Sequence, residues 1–221
     1  MRILALIPAR RGSKRLPGKN IKLLGERPLI VWSIDIAKNV PDVCDTLVTT
    51  DDPSIASISL AAGALVPWLR PSYLATDTAT SVDVALHALD WYESAHGVVD
   101  GVLLLQPTSP YRSRETVLEG MRQFNQQRRS VVAVSEVKVD PARCFFIQTD
   151  GLKMCVPTPG NTQEAAYAVN GALYLIGPDE LRKTMSFFNT TSVPLIVNNH
   201  RESIDIDDGF DWWLAERMLE Y

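Results

Sequence analysis

Six cations and no carboxylate fall between residues 10 and 22: Arg10, Arg11, Lys14, Arg15, Lys19 and Lys22. They sit in the stretch IPARRGSKRLPGKN, Ile7 to Asn20, directly after a short apolar run. The rest of the chain carries 16 Lys and Arg against 26 Asp and Glu. A compact positive focus on an acidic body suits a small, highly charged anion, and the net charge of −4 argues against a general nucleic-acid binder. Gly12 and Ser13 can offer backbone N–H groups and a hydroxyl to phosphate oxygens. Arg10 can fork onto two such oxygens, while Lys14 and Lys19 act as mobile point charges. Pro8 and Gly12 are expected to turn the chain sharply, Pro17 to stiffen its return, and Asn20 to read a base edge or cap the next segment.

This loop is not a Walker A motif. Five residues separate Gly12 from Gly18 where that motif has four, and Asn20 stands where a Ser or Thr hydroxyl would hold Mg²⁺. A P-loop NTPase is therefore excluded on spacing. A second candidate lies near the other end, in SIDIDDGFD. In an extended segment residues two apart share a side, so Asp205 and Asp207 converge while Ile204 and Ile206 face inward. Two carboxylates with phosphate oxygens and waters make an ordinary Mg²⁺ environment. Taken alone, an Asp-x-Asp pair is more often a solvated edge followed by a helix cap at Asp207 or Asp208; the cationic loop shifts the balance toward a metal role.

The surrounding pattern says what must position these groups. RILALIP reads as a buried strand, PLIVWSIDIAKN as a helix, DTLVTT as a strand ending at Asp51–Asp52, and PSIASISLAAG as a helix with Pro53 in its first turn. ALVPWL suggests a short strand with Pro67 at an edge. SVDVALHALDWYESAHG reads as a helix, DGVLLLQ as a central strand, SRETVLEGMRQFNQQ as a helix capped by Ser113, and SVVAVSEV as a strand. Such alternation predicts a single domain over residues 1–221, a three-layer α/β/α Rossmann-like, mostly parallel sheet with ligands beyond the carboxyl ends of its strands. From about 140 to 190 the alternation breaks down. CFFIQTDGLKMCV suggests a hairpin turning at Asp150–Gly151, PTPGNTQEAA a loop and YAVNGALYLIG a strand, together an insertion on the main sheet.

At 221 residues, 46% hydrophobic and 22% charged, the composition is that of an ordinary globular domain. No apolar run approaches a membrane span, and the N-terminus reads as a strand in place of a secretory signal. Cys44, Cys144 and Cys155, odd in number and without metal spacing, suggest reduced, mostly buried thiols in a cytoplasmic protein. His87, His96 and His200 show no ligand spacing, and His87 is expected to pack on its helix.

The opening loop resembles the IPARxGSKxxPxKN signature of the sugar nucleotidyltransferases, and specifically of the cytidylyltransferases that activate acidic sugars. Further segments extend the resemblance over nearly the whole chain: LRPSYLATDTATS (69 to 81), LLLQPTSP, NGALY and SIDIDDGFD. Each is moderately specific. Four in order behind that loop resemble the N-acylneuraminate cytidylyltransferase, or CMP-sialic acid synthetase, family. The resemblance implies transfer of CMP from CTP to a nonulosonic acid, with Mg²⁺ at Asp205 and Asp207 and Mn²⁺ able to substitute. It implies nucleotide contacts from Ala9, Arg10, Gly12, Ser13, Asn20, Arg70 and Ser81, and catalytic roles for Arg10, Lys14 and Lys19. It implies sugar contacts from Gln106, Arg143, Asn170, Tyr174, Phe187 and Phe188. In such enzymes the insertion crosses a homodimer interface and the phenylalanine pair lines the partner's sugar pocket; the bland alternative for Phe187–Phe188 is core. No nucleic-acid or membrane partner is implied.

One departure concerns the sugar. Relatives acting on N-acetylneuraminic acid commonly carry arginine shortly before NGA, and GNTQEAAYAVNGALY contains none. The carboxylate or substituents must then be read otherwise, with Arg143 or Arg201 as candidates, and a deaminated or legionaminic-type acid becomes an open alternative. RLPGK also fits the CMP-KDO synthetases, while QPTSP and SIDID favour the sialic branch. A non-catalytic nucleotide-binding regulatory module is the rival from another class.

Overall fold

The computed structural model describes residues 1–149, 151–155 and 165–220. Asp150 of the expected hairpin turn and residues 156–164, which hold most of the expected PTPGNTQEAA loop, lie outside the described residues. The chain opens with β1 (Ile3–Pro8), whose side chains alternate between two cores. Ile3, Ala5 and Ile7 pack beneath α1 (Leu29–Lys38), α2 (Pro53–Ala61) and α4 (Arg114–Gln127). Leu4 and Leu6 pack beneath α3 (Ser81–His96) and α5 (Pro178–Thr184) on the other face. A sheet buried on both faces explains why RILALIP is apolar at every position.

The six-stranded sheet runs β10 (Val193–Ile196), β6 (Val131–Glu136), β9 (Tyr167–Ile176), β5 (Gly101–Leu104), β1, β4 (Val43–Thr49). All neighbours are parallel except β9, which is antiparallel to both β5 and β6. A small ribbon of β2 (Leu23–Leu24) and β3 (Arg27–Pro28) follows the loop, and α6 (Gly209–Met218) closes the chain.

The expected cap at Ser113 is present, accepting from Thr116 N–H. Asp52, read from sequence only as a strand end, caps α2 by accepting from the N–H groups of Ser54 and Ile55. Asp208, not Asp207, caps α6, in a reciprocal box with Asp211. Two expectations change. ALVPWL forms only isolated parallel bridges, Leu47 with Leu65 and Thr50 with Leu69, because it meets the β4 edge at single points. The stretch expected as an insertion from about 140 to 190 divides: β9 is a central strand of the main sheet, and only the hairpin β7 (Phe145–Gln148) with β8 (Gly151–Met154) forms a separate ribbon. The strand itself is where YAVNGALYLIG suggests, but its open Tyr167–Asn170 and buried Gly171–Leu173 give no pattern that assigns it to the main sheet.

Candidate active site

The strands β1, β4 and β5 end at one edge of the sheet, and the loop after β1 spreads across it. Backbone bonds fix this mouth: Ala9 N–H donates to Thr49 O at 3.0 Å and Leu105 N–H to Leu6 O at 3.0 Å. Gly18 takes φ 71°, where glycine avoids a Cβ penalty. Gly12 is not in that region, so the freedom expected there is needed six residues later.

Five of the loop cations end on carboxylates brought from distant segments, Arg11 at 3.6 Å from Asp52 Oδ2 among them. Arg10 Nη1 lies 2.6 Å from Asp77 Oδ1, and Lys14 Nζ 2.5 Å from Asp77 Oδ2. Arg15 Nη2 lies 2.6 Å from Asp207 Oδ2, and Lys19 Nζ 3.1 Å from Asp207 Oδ1. Lys19 also donates to Ile206 O at 2.8 Å. The acidic segment is held there by packing. Ile204 and Ile206 are buried in a third core with Leu24, Leu29, Trp212 and Ala215, Leu16 of the loop rests on it, and Ile206 N–H donates to Thr108 O at 2.8 Å. Lys22 turns away and lies 3.9 Å over the Trp212 ring.

A cleft of about 290 Å³ at this edge is lined by Arg10, Lys19, Asn20, Arg70, Ser81 and Gln106, with Asp77 and Thr108. Next to it, a cavity of about 410 Å³ gathers Gly12, Ser13, Lys14, Arg15 and Asp207 and shares Arg10, Lys19 and Asn20. A third, of about 650 Å³, opens at Asp205. Burial pushes the Asp205 carboxyl up, and Asp207 adds to the rise; a hydrogen bond from Thr108 and the charge of Lys19 oppose it. Hydrogen bonds and charge from Lys14 and Arg10 hold the Asp77 carboxyl below its ordinary value. Among the described residues no group of three or more His, Cys, Asp or Glu is gathered for a metal. The donor set is two carboxylates, one of them desolvated and raised by its neighbour, which fits a hard cation that completes its shell with phosphate oxygens and water.

The sugar candidates are placed unevenly. In β9, Gly171 has φ 80°, and a Cβ there would lie 2.9 Å from Gln106 Oε1, 3.0 Å from Ser109 Oγ and 3.9 Å from Asp205 Oδ2. The glycine of NGALY thus lets Gln106 and Asp205 approach β9. Asn170 bonds Ser135 Oγ at 2.9 Å and accepts from Ala172 N–H at 3.0 Å. Tyr174 packs against Phe187 and Phe188, with ring centroids 6.0 and 6.3 Å away. Burial, with Asp205 nearby, raises the Tyr174 pKa.

Several expected contacts are spent elsewhere. Ala9 is buried and its N–H is taken by Thr49. Asn20 is buried, lines the cleft, and donates from Nδ2 to Arg10 O at 3.0 Å, bracing the loop across its own ends. Arg70 is buried with its donors on Thr49 Oγ1, Thr49 O and Leu74 O, so it anchors the segment that carries Asp77. Phe187 is core, packed beneath α3 and α5, because its ring fills the second cluster; only Phe188 is exposed. Arg143 stands exposed beside the hairpin, apart from the three cavities. Arg201 stacks 4.6 Å over Tyr111 in a separate cavity. His87 packs edge-on to Trp68 at 4.6 Å, as expected of a packing residue. The thiols are free, yet Cys44 and Cys155 are exposed and Cys144 half-buried, because Cys44 lies near the start of the edge strand β4 and the other two flank the open end of the hairpin.

Sequence reasoning missed Asp77, which stands inside LRPSYLATDTATS, and Arg112, two residues past the end of LLLQPTSP. Arg112 is buried and donates to Ala172 O (2.6 Å), Ser33 Oγ (2.7 Å) and Gln106 O (2.5 Å), joining β9, α1 and the end of β5. Burial lowers its pKa while Asp205 and Glu202 hold it up. An arginine after a proline-bounded strand end looks exposed in sequence; only the antiparallel β9 covers it.

The cytidylyltransferase family profile matches residues 4–156. The CMP-N,N'-diacetyllegionaminic acid synthase of Legionella pneumophila is 38% identical over all of this chain and 97% of that protein. The N-acylneuraminate cytidylyltransferase of Escherichia coli is 31% identical over 97% of this chain, which spans about half (51%) of that protein. Among solved structures, a CMP:2-keto-3-deoxy-manno-octonic acid synthetase complexed with CTP superposes with TM-score 0.74 at 17% identity, covering 100% of this chain and 99% of that one. At that identity the likeness speaks for the fold.

Proposed function

The chain belongs to the cytidylyltransferase family, and from that premise we propose that it transfers CMP from CTP to the anomeric hydroxyl of a nonulosonic acid, giving the CMP-sugar and pyrophosphate. The observation that carries this reading is the meeting of the loop after β1 with Asp207, through Arg15 and Lys19, at the mouth of a cleft that also holds Arg10 and Gln106.

The sugar hydroxyl attacks the α-phosphorus in line and pyrophosphate leaves opposite. Both substrates are anions, so alignment and charge neutralisation carry the catalysis. Arg10, Lys14 and Lys19 bind the triphosphate and stabilise charge as it passes to the leaving group. To do so Arg10 and Lys14 exchange Asp77 for phosphate oxygens. Gly12 and Ser13 support the phosphates, and Arg70 and Ser81 shape the nucleoside end. Gln106, Asn170, Tyr174 and Phe188 orient the sugar. Asp205 and Asp207 are the residues that would hold Mg²⁺, which supplies phosphate polarisation and a lowered hydroxyl pKa when bound.

The legionaminate relative and the lack of arginine before Asn170 support an acid other than N-acetylneuraminic acid. The test is CTP, Mg²⁺ and each acid separately, with pyrophosphate followed and the product weighed. Turnover is expected with a diacetyllegionaminic-type acid above the others. Turnover with KDO alone would move the chain to the rival branch, and none with any acid would leave a nucleotide-binding module.

The hairpin supports a homodimer. Phe145, Phe146, Ile147 and Leu152 are all exposed, Ile147 at 89%, and Val139 and Tyr167 extend the apolar surface. Such a surface marks an interaction site, and a second copy presenting the same ribbon is its proposed cover. Sedimentation would read a dimer; a monomer at all concentrations would remove this assignment. No helix among the described residues is long and apolar enough to cross a membrane, and a cytoplasmic place for the enzyme is part of the same proposal.

A further inference from the structure

The two cysteines of the hairpin are register partners. β7 and β8 pair Phe145 with Met154, Phe146 with Lys153, Ile147 with Leu152 and Gln148 with Gly151. Continuing that register by one step sets Cys144 opposite Cys155, and Cys155 N–H donates to Cys144 O at 2.9 Å. Directly opposed residues of an antiparallel pair project to the same face of the ribbon. Among the described residues both thiols are free; Cys155 is exposed, and Cys144 Sγ makes a long contact of 3.8 Å to Asp140 O.

We propose that Cys144 and Cys155 form a reversible intrachain disulfide that staples the open end of the hairpin. Hydrogen-bonded cross-strand pairs have Cα atoms about 5.5 Å apart, inside the roughly 4.4–6.8 Å range that disulfides span. Their Cβ atoms lie about 4.5–5.5 Å apart, against the roughly 3.5–4.5 Å of a bridge. Closing the bond therefore draws the strand ends together by up to about an ångström. A bridge that needs such movement, on an exposed ribbon, belongs to the class more easily reduced than a structural disulfide.

The oxidant is a small disulfide. The Cys155 thiolate attacks one of its sulfurs and releases one small thiol, leaving a mixed disulfide on Cys155. The Cys144 thiolate then attacks the Cys155 sulfur and expels the second small thiol. One protein disulfide and two small thiols result, with two electrons passed to the oxidant, and excess reductant reverses the sequence. Cys44 lies at the start of β4, on the main body, with its Sγ bonded to Ile3 O (3.3 Å) and near Tyr92 Oη (3.4 Å), so it serves as an internal control.

The experiment exposes the full-length native protein to oxidised and reduced glutathione in graded ratios, then alkylates, digests and weighs the peptides. The expected result is a linked Cys144–Cys155 peptide, lighter by two hydrogens, formed within one chain, reversed by reductant and unchanged in Cys44→Ser. Cys155→Ser should abolish it while leaving circular dichroism and melting unaltered. Glutathione retained on both cysteines, a link between two chains, or a link to Cys44 would each overturn the proposal. The readout is a mass, so it stands or falls independently of which sugar the enzyme uses.

Discussion

Arg10, Lys14, Arg15 and Lys19 each end on a carboxylate from a remote segment, whereas Phe146, Ile147 and Leu152 end in solvent. The cleft and the hairpin are both open regions, but the groups of the cleft are already answered within the chain and those of the hairpin are not. The difference bears on what each takes up. A ligand entering the cleft must displace Asp77 and recruit Asp207, so its affinity is a difference between two sets of charge contacts. A partner covering the hairpin displaces only water, and its affinity follows apolar area. The cleft should therefore respond to charge substitutions and ionic strength, and the hairpin to apolar ones.

The largest effects are expected where charge is made or moved in the transition state. Arg10→Ala and Asp207→Asn should each lower kcat by roughly 10²- to 10³-fold, equivalent to about 3 to 4 kcal/mol, while remaining folded by circular dichroism. Near-normal turnover in either would remove that residue from the cleft's chemistry. Next, Ile147→Lys should raise the dimer dissociation constant at least about tenfold, about 1.4 kcal/mol, with the melting of the main body unchanged; an unaltered constant would mean that the hairpin is not the interface. Gly171→Ala should cost more than about 1 kcal/mol of stability, since an alanine there keeps the left-handed strain and meets Gln106, and should lower kcat as well. A neutral result in denaturant melting would show that β9 can relax away from Gln106.

The smallest effect separates the two regions most finely. Asp77→Asn frees Arg10 and Lys14, so CTP should bind more tightly, by no more than about fivefold, because solvent-exposed ion pairs are weak and screened. The Asp77 pKa is depressed, so its pairing is present above the ordinary aspartate range and lost only as pH falls through the lower, folded value. The competition therefore operates throughout any neutral assay, and the gain in Asp77→Asn should be flat from mildly acidic to basic pH. Weaker CTP binding in this variant would make Asp77 a ligand support and not a competitor.

What could be read in advance follows from which forces are local. The β1 run, the helix cap at Ser113 and the cationic loop depend on neighbours in sequence, and each was legible. So was the inward packing of Ile204 and Ile206, which alternate with Asp205 and Asp207. Long-range consequences were not. The burial of Phe187, the engagement of Asn20 with Arg10 O and the role of Arg112 all depend on packing between segments far apart in the chain. β9 was taken for part of an insertion because its antiparallel placement in a parallel sheet leaves no periodic trace. Asp77 was hidden for a related reason, being a loop carboxylate whose meaning comes only from the two cations it meets.

The central claim is that the loop cations and Asp207 act on one triphosphate. Its most direct measurement is single-turnover release of pyrophosphate from CTP by the wild-type enzyme and Asp207→Asn, with Mg²⁺, in the presence and absence of a diacetyllegionaminic-type acid. The account predicts release only with the acid, matched by CMP-sugar of the expected mass, and a loss of about 10²-fold or more in the variant. Release without the acid, or an equal rate in the variant, would contradict it.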